Sequence, residues 1–209
     1  MTPGATWYVR LLHRLVARPA VYDAVQKVAG MERTRQRLRP LLQRTAGLVL
    51  DVGAGTGNYV DLLPLPRRYI WFDNDPVKLE GFRKKHPAAL AMLGDASRMP
   101  VRDKHVEFVL CVAVSHHLTD GELENFLADI ARTCRRGLIF VDAVSHPRSL
   151  LSRMLWKYDR GSNPRRVEQL RGMIGQHFNI EYEECYRTLH RYFLCAASPR
   201  DRLSGQPIS

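Results

Sequence analysis

The sequence predicts an α/β chain: a doubly wound sheet of five parallel strands closed by an antiparallel hairpin, with extra helices at the amino terminus. Three observations carry that prediction. Short apolar runs at 48–52, 69–72, 88–93, 106–114 and 138–142 read as buried parallel strands, separated by stretches of helical or turn character. Acids stand at or just beyond the ends of several of them, at Asp51, Asp73, Asp95 and Asp142. The first run is followed by glycines at every second position, Gly53, Gly55 and Gly57, which allow a tight reversal into a helix and let a ligand sit directly on the backbone.

Residues 1–46 are expected to form helices that cover the cleft. Trp7, Leu11 and Leu15, with Tyr8 and Leu12, lie along one side at helical spacing, and further helices follow at Ala20 to Val28 and Met31 to Arg44. Residues 1–22 hold arginines and no acid, a presequence-like bias, but Arg10, His13, Arg14 and Arg18 interrupt any secretory apolar core. A helix packed on the domain, an organelle-targeting segment and a membrane-surface helix all stay open for this stretch.

The main domain is expected over 47–197. Its second strand ends in Asp73-Asn74-Asp75-Pro76, where Asp75 caps the next helix and Pro76 occupies its first turn. The third ends in Gly94-Asp95-Ala96, and the fourth leads into Ser115-His116-His117-Leu118. Asp120 to Cys134 reads as a helix with Asp120 as its cap and Leu123, Leu127 and Ile130 facing the core. Arg136-Gly137 then turns into the fifth strand. Residues 146–175 form a helical cover segment broken at 161–164, Ile180 to Tyr186 and His190 to Ala197 form the hairpin, and 198–209 is a loose tail.

Two ligands compete for the glycine loop. A dinucleotide wants G-x-G-x-x-G, whose third glycine is here Asn58, and its pyrophosphate would be repelled by Asp51. A ligand carrying an amine and a sulfonium tolerates that acid, so the D-x-G-x-G-x-G form favours S-adenosylmethionine. Asp73, 20 residues after Gly53, is placed to accept both ribose hydroxyls. Asp95 can accept from an adenine amine while the next backbone N–H donates to the ring.

With these four ordered motifs, residues 47 to 143 resemble the class I S-adenosylmethionine-dependent methyltransferases, of the small-molecule type related to the ubiquinone and menaquinone methyltransferases. The resemblance implies a Rossmann-like sheet. It also implies that Gly53, Ala54 and Gly55 line the methionine end with Asp51 in support, that Asp73 with Asn74 takes the ribose, and that Asp95 with Ala96 takes the adenine. Cys111 and Val112 would offer main-chain contacts beside the sulfonium. His117 would be the more buried neighbour of Leu118.

Composition and charge narrow the partners. With 209 residues, 45% of them hydrophobic, the chain can bury a sizeable single-domain core, and no apolar run approaches the roughly 18 residues of a membrane span. Cys111, Cys134, Cys185 and Cys195 show no C-x-x-C spacing and read as free, mostly buried thiols of a reducing cytoplasm. Of the net charge of +11, residues 1–47 carry +7 and residues 145–172 carry +5. A solvated face is the plain reading. The functional ones are an anionic small molecule, an acidic carrier protein presenting the substrate, an anionic membrane surface, or RNA. Enzymes that methylate exocyclic amines of bases carry Asn or Asp followed by Pro-Pro and an aromatic after the fourth strand; this chain has Ala113 to His117 there, which disfavours nucleic acid.

An oxygen or nitrogen acceptor must lose a proton, and His116 and His117 at the lip of the cleft are the candidate general bases, His116 preferred. The alternative is that they only pack and hydrogen-bond at the strand-helix junction. A metal mechanism needs clustered acids after the fourth and fifth strands, and only Asp142 stands there, so no metal is expected. Tyr158, Arg160 and Arg165 in the cover segment are candidate substrate contacts, and His190 and Tyr192 could reach the cleft. The reading is methyl transfer to a small organic molecule, most readily at oxygen, with RNA methylation and a non-catalytic cofactor-binding role as alternatives.

Overall fold

The computed structural model describes residues 30–64, 68–145, 163–188 and 191–200. Within them a seven-stranded sheet is ordered β3-β2-β1-β4-β5-β7-β6. The strands are β1 Val49–Val52, β2 Tyr69–Asp73, β3 Leu90–Leu93, β4 Val106–Val112, β5 Cys134–Val144, β6 Phe178–Arg187 and β7 Arg191–Pro199. β1 to β5 are parallel; β7 runs antiparallel between β5 and β6, so the second strand of the hairpin joins the sheet and the first forms its edge.

Alternation along the strands divides the core into two layers. Leu50, Val52, Phe72, Val109, Cys111, Phe140 and Phe193 face one side, under Leu123, Phe126, Leu127 and Ile130 of α3 (Asp120–Thr133) and Leu170 and Ile174 of α4 (Val167–His177). Val49, Tyr69, Trp71, Leu110, Ile139, Val141 and Leu194 face the other, with Leu38 and Leu42 of α1 (Met31–Leu42) and Phe82 of α2 (Pro76–Lys85). Each such fully buried side chain contributes about 1.5–3 kcal/mol relative to an exposed one. The same parity sends Asp51 into the α1–α2 layer and Asp142 into the α3–α4 layer.

Several local expectations are corrected. No regular helix follows the glycine loop: residues 53–59 form turns and only a 3₁₀ turn, Val60–Leu62, follows. Pro64 stands just beyond it and disfavours a helical conformation at Leu63, which is extended. The cap of α3 is Thr119, in a capping box with Glu122, and Asp120 is released for another partner. α3 passes straight into β5 without a turn at Arg136-Gly137; a register shift against β4 absorbs the two arginines, and Gly137 lies where a Cβ would come within 3.0 Å of the Ala197 carbonyl. β7 extends to Pro199, two residues into the expected tail. Asp75 caps α2 by accepting from the Val77 and Lys78 N–H groups, as its place before Pro76 predicts.

The helices expected before Gly30 and the segment 146–162 lie outside the described residues, and so do Tyr158, Arg160 and His190. The described remainder of the cover segment, α4, packs on α3 and β6.

Candidate functional site

In a doubly wound sheet, ligands bind beyond the carboxyl ends of the strands where the winding reverses. Here that point lies between β1 and β4, because β2 and β3 extend the sheet on one side of β1 and β4 and β5 on the other. Asp51, the glycine loop, Asp73, Asp95 and the turn after β4 all belong to this edge.

The loop is held in shape by neighbours. Gly53, Gly55 and Gly57 all have positive φ, 71°, 56° and 74°. A side chain at Gly53 would put its Cβ 2.3 Å from a methyl of Val114, and one at Gly57 would strike the Phe82 ring. The N–H groups of Gly53 and Ala54 donate to the Phe72 carbonyl at 2.8 and 3.2 Å. The Trp71 indole N–H donates to the Gly55 carbonyl at 2.7 Å.

Both acids of the loop region are almost fully buried. Asp73 accepts from the N–H of Gly55 at 2.9 Å and of Asp75 at 3.1 Å, with the Lys78 ammonium 3.5 Å away. Asp51 accepts from the Tyr69 hydroxyl at 2.7 Å, and both side chains are no more than 1% exposed. Burial pushes the Asp51 carboxyl up to about 7, opposed by the Tyr69 hydrogen bond and reinforced by the charge of Asp73. Among the described residues no cation pairs with that acid, and a ligand bringing one fits it.

The sign of the resulting pH effect is definite. Asp51 has a folded value above its unfolded one, so the stability it contributes is intact below about pH 3.8 and lost as pH rises through about 7. Asp51→Asn should raise the melting temperature of the ligand-free protein at pH 8 and remove part of the fall seen in the parent between pH 5 and pH 8. The same substitution should weaken binding of a cationic ligand. Melting curves with identical pH dependence in parent and variant would show that Asp51 does not titrate there.

Asp95 is exposed and accepts from Ser97 N–H at 2.8 Å, with Ala96 half-buried beside it; Asn74 is exposed next to Asp73. Cys111 is paired on both sides, with Val52 of β1 and Phe140 of β5, so its main chain is absorbed in the ladder. Val112 lies one residue beyond the end of β1 and pairs only with Val141, which leaves its β1-facing edge toward the cleft. The chain then turns at Ala113 with φ 58°.

After β4 a 3₁₀ turn, Ser115–His117, carries the two histidines, and their order of burial is the reverse of the expectation. His116 is 6% exposed and His117 is exposed, because His116 turns inward to Asp142. His116 Nδ1 lies 2.6 Å from Asp142 Oδ1. The fully buried Asp142 also accepts from the Ser115 hydroxyl, from His116 N–H at 3.2 Å and from Ala143 N–H at 2.7 Å. Burial alone would raise its pKa, but His116, Ser115 and the Ala143 amide together hold the carboxyl below its ordinary value. The result is a buried carboxylate that orients one imidazole.

Arg165, a candidate substrate contact, is turned into the protein. It is 3% exposed, and its guanidinium donates to Asp120 at 2.8 Å and to the carbonyls of Ser115 at 2.7 Å, Leu118 at 2.6 Å and Asn163 at 3.4 Å. These bonds use its whole fork to fasten the His116 turn. Other positive charge is likewise spent on pairs: Arg35 with Asp61, Arg37 with Glu184 and Arg171 with Glu183.

Sequence reasoning weighed Asp142 only as a metal ligand and missed Ser115, Tyr69 and Trp71 as supports. The signal for Asp142 was an acid inside Leu138-Ile139-Phe140-Val141-Asp142-Ala143-Val144, since an acid in a fully buried run requires partners. Among the described residues, no three of His, Cys, Asp and Glu converge as metal ligands, and no helix is long and apolar enough to cross a membrane.

Comparison with known proteins agrees with this geometry. Residues 49–137 match a family model described as a methyltransferase domain. A methyltransferase-like protein of Schizosaccharomyces pombe is 32% identical over 77 residues, covering 36% of this chain and 30% of the relative. An uncharacterised methyltransferase of Mycobacterium bovis is 34% identical over 116 residues, covering 53% and 46%. The chain thus spans less than half the length of either relative. Among solved structures, the magnesium protoporphyrin IX methyltransferase of Synechocystis, crystallised with S-adenosylhomocysteine, superposes with a TM-score of 0.69 at 19% identity, covering 84% of this chain and 87% of that one. The segment from Val49 to Gly137 is thus similar to a methyltransferase domain, in a fold shared with solved methyltransferases.

Proposed function

We propose that the protein is an S-adenosylmethionine-dependent methyltransferase that acts on a small organic molecule at oxygen. The observation that carries the reading is the buried acid pair around the glycine loop, Asp51 and Asp73, at the winding reversal of a methyltransferase domain. Bound there, S-adenosylmethionine supplies an electrophilic methyl group on a sulfonium. Asp51 would support the cationic methionine end, whose charge would offset the burial of the carboxylate. Asp73 would offer the ribose hydroxyls the acceptor capacity that the Gly55 and Asp75 amides leave, with the Lys78 ammonium beside Oδ2. Asp95, with the Ala96 N–H, receives the adenine edge.

The protein's part in the transfer is alignment and proton removal. His116 Nδ1 is committed to Asp142, so the proton from the acceptor hydroxyl goes to Nε2, and Asp142 stabilises the imidazolium that forms. The chain's own task would be to hold the acceptor oxygen in line with the methyl group, so that a carbon–oxygen bond could form as the carbon–sulfur bond broke with its electron pair left on sulfur. An oxygen acceptor is favoured because a hydroxyl needs such a base. The basic surface remaining on Arg33, Arg39 and Arg166 supports an anionic or carrier-bound acceptor over a neutral one.

Incubation with methyl-labelled S-adenosylmethionine and separate small-molecule, RNA and acidic carrier-protein fractions tests the reading. Label is expected in the small-molecule fraction or on the carrier. Label confined to RNA would replace the substrate class. Cofactor binding with no transfer to any fraction would leave a binding protein instead of an enzyme.

A further inference from the structure

The glycine loop is fastened at three points, and the third comes from outside the methyltransferase domain. Its beginning is tied to β2 through the Phe72 carbonyl, and its middle through Trp71 and Asp73. Its end is held by Arg35 of α1. One Arg35 nitrogen donates to the carbonyl of Asn58, the last loop residue before Tyr59, and the fork closes on both oxygens of Asp61 in the following 3₁₀ turn, one of them at 3.0 Å. The Arg35 side chain is only 14% exposed, which marks it as a packed clamp and not a solvated arm. Asn58 is drawn into the same arrangement through its Oδ1, which accepts from the Thr56 hydroxyl at 3.2 Å.

α1 is anchored independently of the loop. Leu38 and Leu42 are fully buried in the second core layer, Thr34 accepts from the Tyr186 hydroxyl of β6 at 2.8 Å, and Arg37 pairs with Glu184. The helix therefore spans from the carboxyl-terminal hairpin to the cofactor loop. Two planar N–H···O bonds to one carboxylate, plus a third to a loop carbonyl, transmit its position to that loop with little slack.

We infer that Arg35 is a positioning residue for the cofactor loop, and that through it α1 and the hairpin govern cofactor affinity. This rests on the proposed cofactor reading, and the test separates the two. S-adenosylhomocysteine affinity is measured by calorimetry, and melting temperature separately, on parent, Arg35→Ala, Asp61→Ala, the double variant, Arg35→Lys and Arg37→Ala.

Arg35→Ala and Asp61→Ala should each weaken affinity by about five- to fiftyfold, with the double variant no worse than the weaker single. Arg35→Lys should fall between, since an ammonium keeps the charge but not the fork. Arg37→Ala removes one of the contacts that tie α1 to the hairpin and should weaken affinity by less than Arg35→Ala does. If Arg35→Ala lowers the melting temperature while affinity stays at the parent value, Arg35 is only structural and the inference is overturned, with the cofactor reading intact. A parent that does not bind S-adenosylhomocysteine sinks both.

Discussion

His116→Gln is expected to lower kcat by about 100-fold to 10,000-fold while leaving S-adenosylhomocysteine affinity close to the parent value. Glutamine is the informative substitution because its amide can still donate to Asp142. Alanine would leave a fully buried carboxylate without its main partner, at a cost of roughly 3–5 kcal/mol, and confuse loss of the base with loss of the fold. Asp142→Asn should act in the same direction for a different reason. An amide can present either a donor or an acceptor to Nδ1, and whichever it presents, the imidazolium loses the charge that stabilises it.

The pH profile separates a base from a mere packing group. In the parent, kcat should fall on the acid side as the base is protonated; in His116→Gln that limb should vanish, and the residual rate should climb with hydroxide concentration. His117→Ala is the control, since its exposed ring stands 4.1 Å from His116 between centroids but has no part in the Asp142 bond. A folded His116→Gln variant that turns over like the parent would remove the histidine from the chemistry and leave the acceptor's own acidity to supply the nucleophile. Arg165 enters the same account indirectly, because it fixes the Ser115 and Leu118 carbonyls that flank the two histidines.

What was legible in the sequence follows from how local each signal is. The parallel strands declared themselves because both sheet faces are covered, so 49–52, interrupted only by Asp51, and 69–72 are apolar runs, and Asp51 and Asp73 fall where the sheet order places the cleft. The Asp75-Pro76 start of α2 depends on adjacent residues and was equally plain. The boundary between α3 and β5 was not, because a helix can pass directly into a strand when a register shift absorbs the mismatch, and nothing within a few residues of Arg136 reports pairing with β4. Inward and outward histidines could not be told apart either: adjacent residues on one 3₁₀ turn differ in burial only through Asp142, 26 positions away in the chain. The partners of Arg165 were illegible for the same reason, since Asp120 and the carbonyls of Ser115 and Leu118 lie more than 40 positions away in the chain.

Asp73→Ala should weaken S-adenosylhomocysteine binding by on the order of 100-fold or more, through loss of two charge-assisted hydrogen bonds worth roughly 1.5–3 kcal/mol each. The structure adds a second route to the same loss, since Asp73 also holds the Gly55 amide at 2.9 Å and so helps shape the loop. Asp73→Asn divides the two. It keeps one acceptor oxygen for a backbone donor and removes the charge, so it should recover much of the melting temperature lost in the alanine variant and little of the affinity. Asp95→Asn should do far less, because Asp95 is exposed and an amide oxygen can still accept from an adenine amine. If Asp73→Asn binds as tightly as the parent, the ribose is held elsewhere and Asp73 serves only to brace the glycine loop.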